Sequence, residues 1–211
     1  MRDLNILRQA GILVDTAIAE LGGLEVYEDI LDTFYTENIK REGSDNLLKW
    51  LESTDFFTAP ASTRYHGAYE GGLCYHSLSV FYQLQRMYKA YSDKVGEISK
   101  ESLAICSLLH DLCKIECYSV GTKNVKENGQ WVQKPFYQFD VKFSFGGHGS
   151  KSVYLIQKHM SLTDEEAVAI NCHMGTWDTD ETSKIGDAYK NYQLAWLVHV
   201  ADEASTFIIG A

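Results

Sequence analysis

Proline is scarce in this sequence: Pro60 and Pro135 are the only two in 211 residues. Long helices can therefore run without the ring clash and the lost N–H donor that proline brings. Long apolar runs are missing as well. No stretch approaches the roughly 18–20 consecutive apolar residues of a membrane-spanning helix, so no membrane span is expected. The opening Met1-Arg2-Asp3-Leu4-Asn5 lacks the basic-then-apolar layout of a secretory leader, which makes a cytoplasmic protein the expectation. Positive charge is in short supply: 19 Lys and Arg stand against 29 Asp and Glu, a net charge of −10. Gripping a long nucleic acid by counterion release needs a basic surface, so such a partner is not expected. A small phosphorylated ligand is compatible with this balance, because metals and a few lysines can meet its charge locally. The cysteines (Cys74, Cys106, Cys113, Cys117 and Cys172) form no CxxC pair and are odd in number. Runs such as Leu103-Ala104-Ile105-Cys106 make them read as reduced core residues rather than a disulfide framework.

What is present is helical pattern. Apolar residues make up 45% of the chain, enough for a core in a single domain of this length. The first sixty residues predict three amphipathic helices. One opens with Leu4, Leu7, Ile12 and Val14 and stops at Gly22-Gly23; one covers 24–38; one runs from Asp45 to Leu51 behind a Ser44 or Asp45 cap. We divide the chain into an N-terminal helical segment, 1–54, packed on a main domain, 55–211. A loop over 58–72 holds small residues suited to close backbone approach, together with Arg64, His66 and Tyr69. A helix over 73–91 presents Leu73, Val80, Leu84, Met87 and Tyr91 on one stripe, with His76 among them. Residues 102–115 are apolar nearly all round, which predicts a buried helix carrying His110 and Asp111. Alternation around Asn128-Gly129 predicts a β-hairpin within 117–141, with Pro135 at an edge. Gly146-Gly147-His148-Gly149 opens a helix reaching about Met160, and Thr163 with Glu166 forms a capping box for one ending near Gly175 and holding His173. A last helix over 192–209 aligns Leu194, Val198, Asp202 and Ser205.

Six residues are out of place on such faces: His76, His110, Asp111, His148, His173 and Asp202. An ionised Asp202 on the stripe of Leu194 and Val198 costs several kcal/mol in desolvation unless it is paired or metal-bound. Inward-facing imidazoles and carboxylates from separate helices are reconciled by converging on shared cations. Such donors suit divalent metals, iron or manganese first, with cobalt, zinc, nickel or magnesium also accommodated. On a helix, His110 and Asp111 point about 100° apart, so Asp111 can bridge two cations while His110 takes one. Lys114, one turn beyond His110, is placed to hold a phosphate oxygen. His159 reads as a surface residue and His199 as a packing or supporting one. The tyrosines and Trp131, Trp177 and Trp196 read as core.

The ordered pattern H…HD…H…H…D, with Leu109-His110-Asp111-Leu112-Cys113-Lys114 similar to an L-H-D-I-G-K motif, resembles the HD superfamily of metal-dependent phosphohydrolases. The segment from His66-Gly67-Ala68-Tyr69 through Gly71-Gly72-Leu73 to His76-Ser77-Leu78 resembles the entry to the HD domain of bacterial 3′–5′ exoribonucleases. It is closer still to small stand-alone HD proteins of Gram-positive bacteria and their phages. The resemblance covers about Asp55 to Thr206. It implies an all-α HD-domain helical bundle, here with one small β-hairpin insertion. It also implies His76, His110, Asp111 and Asp202 as shared metal ligands, and His148 and His173 as the extra pair of binuclear members. Cys113 stands where many members have glycine, a departure expected to alter packing rather than chemistry.

The function expected is hydrolysis of a phosphoester or phosphodiester in a nucleotide-type substrate at a binuclear site. Asp111 and Lys114 are the catalytic candidates, and Lys114, Arg64, His66 and Lys151 the substrate contacts. The alternatives are an HD-type di-iron oxygenase and a non-catalytic nucleotide-binding regulatory module. The pattern leaves room for a homo-oligomer.

Overall fold

The computed structural model describes residues 31–32, 35–178 and 182–211. The first predicted helix lies outside the described residues, as does most of the second; residues 31–32 and 35–38 of that second one are helical. Helix α1, Ser44–Glu52, follows. Its N-cap is Gly43, in a left-handed conformation at φ 91°, and no side chain caps it. That corrects the predicted Ser44 or Asp45 cap, and the cause is steric: a Cβ at residue 43 would lie 2.1 Å from the His159 carbonyl. Only glycine fits.

Helix α2, Gly72–Tyr91, buries Leu73, His76, Val80 and Leu84 along its stripe. The stripe runs out at exposed Tyr91, which packs edge-on against Trp196. Helix α3, Lys100–Leu108, is capped by Ser99, whose hydroxyl accepts from the Ser102 amide. It ends well short of the predicted residue 115. Leu109 makes the last helical bond, to Ile105, and His110 then turns its ring back so that Nδ1 donates to the Ser107 carbonyl at 2.8 Å. That carbonyl is the acceptor residue 111 would need to continue the helix. His110 and Asp111 therefore sit in a turn, followed by a short 3-10 segment, Leu112–Lys114.

Strands β1, Tyr118–Glu127, and β2, Gln130–Phe139, pair antiparallel from Tyr118↔Phe139 to Glu127↔Gln130. Asn128 and Gly129 join them with φ of 49° and 83°, the two positive values of a type I′ turn. In a two-stranded ribbon both strands are edges, which accommodates Pro135 opposite Thr122. Helix α4 covers His148–Gln157. Helix α5, Asp164–Asn171, carries the predicted capping box, both bonds of which are present. It stops before His173, whose Nδ1 donates to the Ile170 carbonyl at 2.7 Å, the same termination as after α3. Helix α6 spans Thr182–Asn191. Helix α7, Gln193–Ala204, runs into a π-type turn over Ser205–Ile209.

Helix α7 packs on α2 and α5, α2 on α3, and α4 on α5. Their shared core includes Leu73, Leu84, Ile105, Leu108, Ile170, Leu194 and Val198, and Leu47 and Leu51 of α1 belong to it. The architecture is the expected all-α bundle with one small hairpin. All five cysteines are buried, and no disulfide joins them. Among the described residues, no helix is long and apolar enough to cross a membrane.

Candidate metal centre

The elements deliver their polar residues to one place. His76 comes from the second turn of α2, His110 and Asp111 from the turn after α3, His148 from the first turn of α4, His173 from the turn after α5, and Asp202 from the last turn of α7. Five of the six are buried, His148 being partly exposed. His76 Nε2 lies 3.0 Å from Asp202 Oδ1 and 3.3 Å from His110 Nε2. Asp111 divides the cluster with its two oxygens. Its Oδ2 faces His110 Nε2 at 3.5 Å and His76 Nε2 at 3.7 Å. Its Oδ1 faces His173 Nε2 at 3.5 Å and receives the Cys113 thiol at 3.6 Å.

The main chain aims the rings. The Nδ1 atoms of His76, His110 and His173 meet the carbonyls of Ala211, Ser107 and Ile170 at 3.2, 2.8 and 2.7 Å. A carbonyl only accepts, so each Nδ1 carries a proton. His173 Nε2 and His148 Nδ1 are buried without a hydrogen-bond partner. A buried nitrogen that has lost its water without replacement is destabilising, and a cation restores what it lacks. Three donor groups have their ligand atoms within 4.8 Å of one another: His76–His110–Asp202, His110–Asp111–His173 and Asp111–Cys113–His148. They share His110 and Asp111, so all six predicted residues belong to one connected site.

Charge favours the same use at the two carboxylates and at His110. Burial opposes ionisation of Asp111, but the neighbouring Lys114, His110 and His173 hold its carboxyl well below the usual range. Asp202 is lowered likewise, with the His76 hydrogen bond outweighing burial. Burial pushes His110 down to about 4, in favour of neutral imidazole. Burial also works against a charged His173, but the Asp111 carboxylate 3.5 Å away outweighs it and raises the group. Burial, then the charge of Asp111, pushes the Cys113 thiol up. Ionised carboxylates and unprotonated ring nitrogens are the ligating forms for divalent first-row metals, so the donor set fits such ions.

The remaining candidates fall at different distances from this centre. Lys114 is buried, but its ammonium meets Asp111 Oδ2 at 2.6 Å instead of sharing a helical face with His110; the end of α3 at Leu108 causes the change. Lys151 is 92% buried (8% exposed), and its Nζ lies 3.1 Å from Cys117 Sγ. Lys114, Lys151, His148 and Cys113 line one cavity of about 130 Å³ with Phe143 and Phe145. The His66 ring lies tilted by 40° against the His76 ring at 4.9 Å between centroids, with both ring nitrogens buried and unpartnered; burial pushes it down to about 4. The loop holding it closes tightly, since a Cβ on Gly72 would lie 2.0 Å from the Gly67 carbonyl. Arg64 is exposed, its guanidinium donating to the Tyr65 hydroxyl at 2.8 Å.

His199 Nδ1 meets the His173 carbonyl at 2.7 Å, the supporting position expected of it. His159 is not a plain surface residue: it is half-buried and stacks on Trp50 at 5.0 Å. Trp131, Trp177 and Trp196 are exposed rather than core. The first lies beside the hairpin turn, the second in a short 3-10 turn, the third on the outer side of α7 against Tyr91. Sequence reasoning missed Cys113 as a member of the site. Its one signal was position, two residues after Asp111 where glycine is common.

A family model described as HD domain matches residues 73–206, well over half of the chain. No curated protein and no solved structure matches it significantly. HD domains are generally metal-dependent hydrolases. The matched span begins just before His76 and closes just after Asp202, so it takes in every member of the cluster: the chain belongs to the HD-domain family.

Proposed function

We propose that this chain hydrolyses a phosphoester or phosphodiester bond of a small, nucleotide-type substrate at a two-metal centre. The single observation that carries the reading is the division at Asp111, with His76 and His110 toward one oxygen and His173 toward the other. In this reading His76, His110, Asp202 and Asp111 Oδ2 hold one cation, while Asp111 Oδ1, His173 and His148 hold a second. Two such ions supply an activated water and neutralise charge developing on the phosphoryl group.

The chain's own groups do the rest. Lys114 sits beside Asp111 Oδ2 and offers its ammonium to a phosphoryl oxygen. Lys151 lines the same cavity and binds substrate charge farther from the metals, with His66 and Arg64 contacting the substrate from the 58–72 loop. The packing of the segment 1–54 on the domain 55–211 is part of the proposal, supported by Leu47 and Leu51 of the first segment lying in the common core.

The test combines elemental analysis of protein purified without chelators with a panel of nucleotides, cyclic nucleotides and dinucleotides, assayed with added manganese or iron. Two metals per chain and turnover of a panel member are expected. Absence of turnover with metal bound overturns the hydrolytic reading. Substrate-dependent oxygen consumption identifies an oxygenase instead, and stoichiometric nucleotide binding unchanged by Asp111→Ala identifies a binding module.

A further inference from the structure

We propose that Cys113 is a metal ligand, supplying a thiolate to the cation on the Oδ1 side of Asp111. The proposal rests on the two-metal reading above and adds to it a soft donor. Cys113 lies on the 3-10 segment that follows Asp111, and its amide donates to Ser152 Oγ at 3.0 Å, which anchors that segment to α4. Its Sγ approaches Asp111 Oδ1 at 3.6 Å. A hydrogen-bonded proton between two lone pairs marks a position from which a cation can address both. A ring nitrogen of His148 lies within 4.8 Å of Cys113 Sγ and of an Asp111 carboxylate oxygen. His173, fully buried with an unpartnered Nε2, faces the same Asp111 oxygen at 3.5 Å. A thiol and two imidazoles thus gather at Asp111, the thiol and His173 on its Oδ1 side. Among the described residues, the other side of Asp111 presents nitrogen and oxygen donors, His76, His110 and Asp202.

On binding, the S–H bond breaks, an S–metal bond forms and the proton leaves to solvent. No electron is transferred. Thiolate is a soft ligand, so this half of the centre favours zinc, ferrous iron or cobalt over magnesium or manganese. The two halves thereby differ in metal preference, although Asp111 is common to both.

The experiment is X-ray absorption on the zinc-loaded full chain, with zinc content measured in parallel. A sulfur neighbour at about 2.3 Å is expected, at half occupancy averaged over two zincs. It disappears in Cys113→Ser, and the affinity for one of the two zincs falls at least about tenfold. A purely nitrogen and oxygen shell in the wild type overturns the proposal. So does a sulfur neighbour that survives in Cys113→Ser. If Cys113→Ser does not fold, Cys117→Ser decides: sulfur retained there supports Cys113 as the source, and sulfur lost assigns it to Cys117. Two zincs without sulfur leave the two-metal reading standing and remove the thiolate. One zinc or none overturns the two-metal reading itself.

Discussion

In the two-metal reading Asp111 is a two-faced ligand, and its substitution separates charge from shape. Asp111→Asn keeps the side-chain outline but removes the ionised bridge. Its metal affinity is expected to fall by more than the roughly 10–100-fold that losing an outer partner costs, as read by calorimetric titration. Lys114 has a different part. With metals bound, Lys114→Met is expected to retain its metal content and lose about 10²–10³ in kcat, the cost of removing one group that stabilises developing charge. A metal content that fell with kcat would assign Lys114 to holding the centre together. At this scale the six His and Asp residues were legible, because ligand-type side chains on apolar stripes such as that of Leu194 and Val198 demand an explanation. Cys113 was not legible, since a cysteine in an apolar run is also an ordinary core residue.

Among the elements, α3 and α5 end in the same way, with a histidine ring taking a carbonyl that the next helical turn would need. Their starts were readable, from Thr163 with Glu166 above all. Their ends were not, because the competing acceptor lies in side-chain geometry and the apolar pattern continues past both. The hairpin was the clearest local signal, and the described contacts tie its strands chiefly to each other. Excising Asn124–Gln133 and closing Lys123 to Lys134 through Asn-Gly keeps the register of the remaining pairs. Stability to denaturant is expected to stay within about 0.5 kcal/mol of the parent. A larger loss would mean that the distal ribbon supports the bundle.

Across the whole molecule, one ionic network ties together segments far apart in the chain. Arg41 grips Glu166 through both nitrogens, at 2.6 and 2.7 Å, and reaches Glu101 at 3.2 Å. Glu166 is fully buried, so Arg41→Ala strands a buried charge and is expected to cost about 3 kcal/mol in denaturant unfolding. No local pattern reveals this pair, separated by 125 residues. Burial works against ionisation of Glu166, but the Arg41 bonds outweigh it and lower the group. A lowered carboxyl contributes stability that is fully present above the unfolded value, about 4.3, and is lost as pH falls through the lower folded value. The difference in melting temperature between wild type and Glu166→Gln is therefore expected to close on acidification below about pH 4; a difference that persists unchanged would refute the linkage.

The carbonyls that hold His76, His110 and His173 by Nδ1 have a bearing on metal supply. A ring whose proton is already fixed on the far nitrogen accepts a cation without flipping, and the core around the site is built from apolar contacts between the helices. Chelation is thus expected to remove metal and leave the helical circular-dichroism signal intact, unlike a zinc finger that unfolds when stripped. The site is expected to behave as a rigid socket. Its occupant is then selected by donor softness and by which ions are abundant where the chain folds, so the growth medium will decide which metal a given preparation carries.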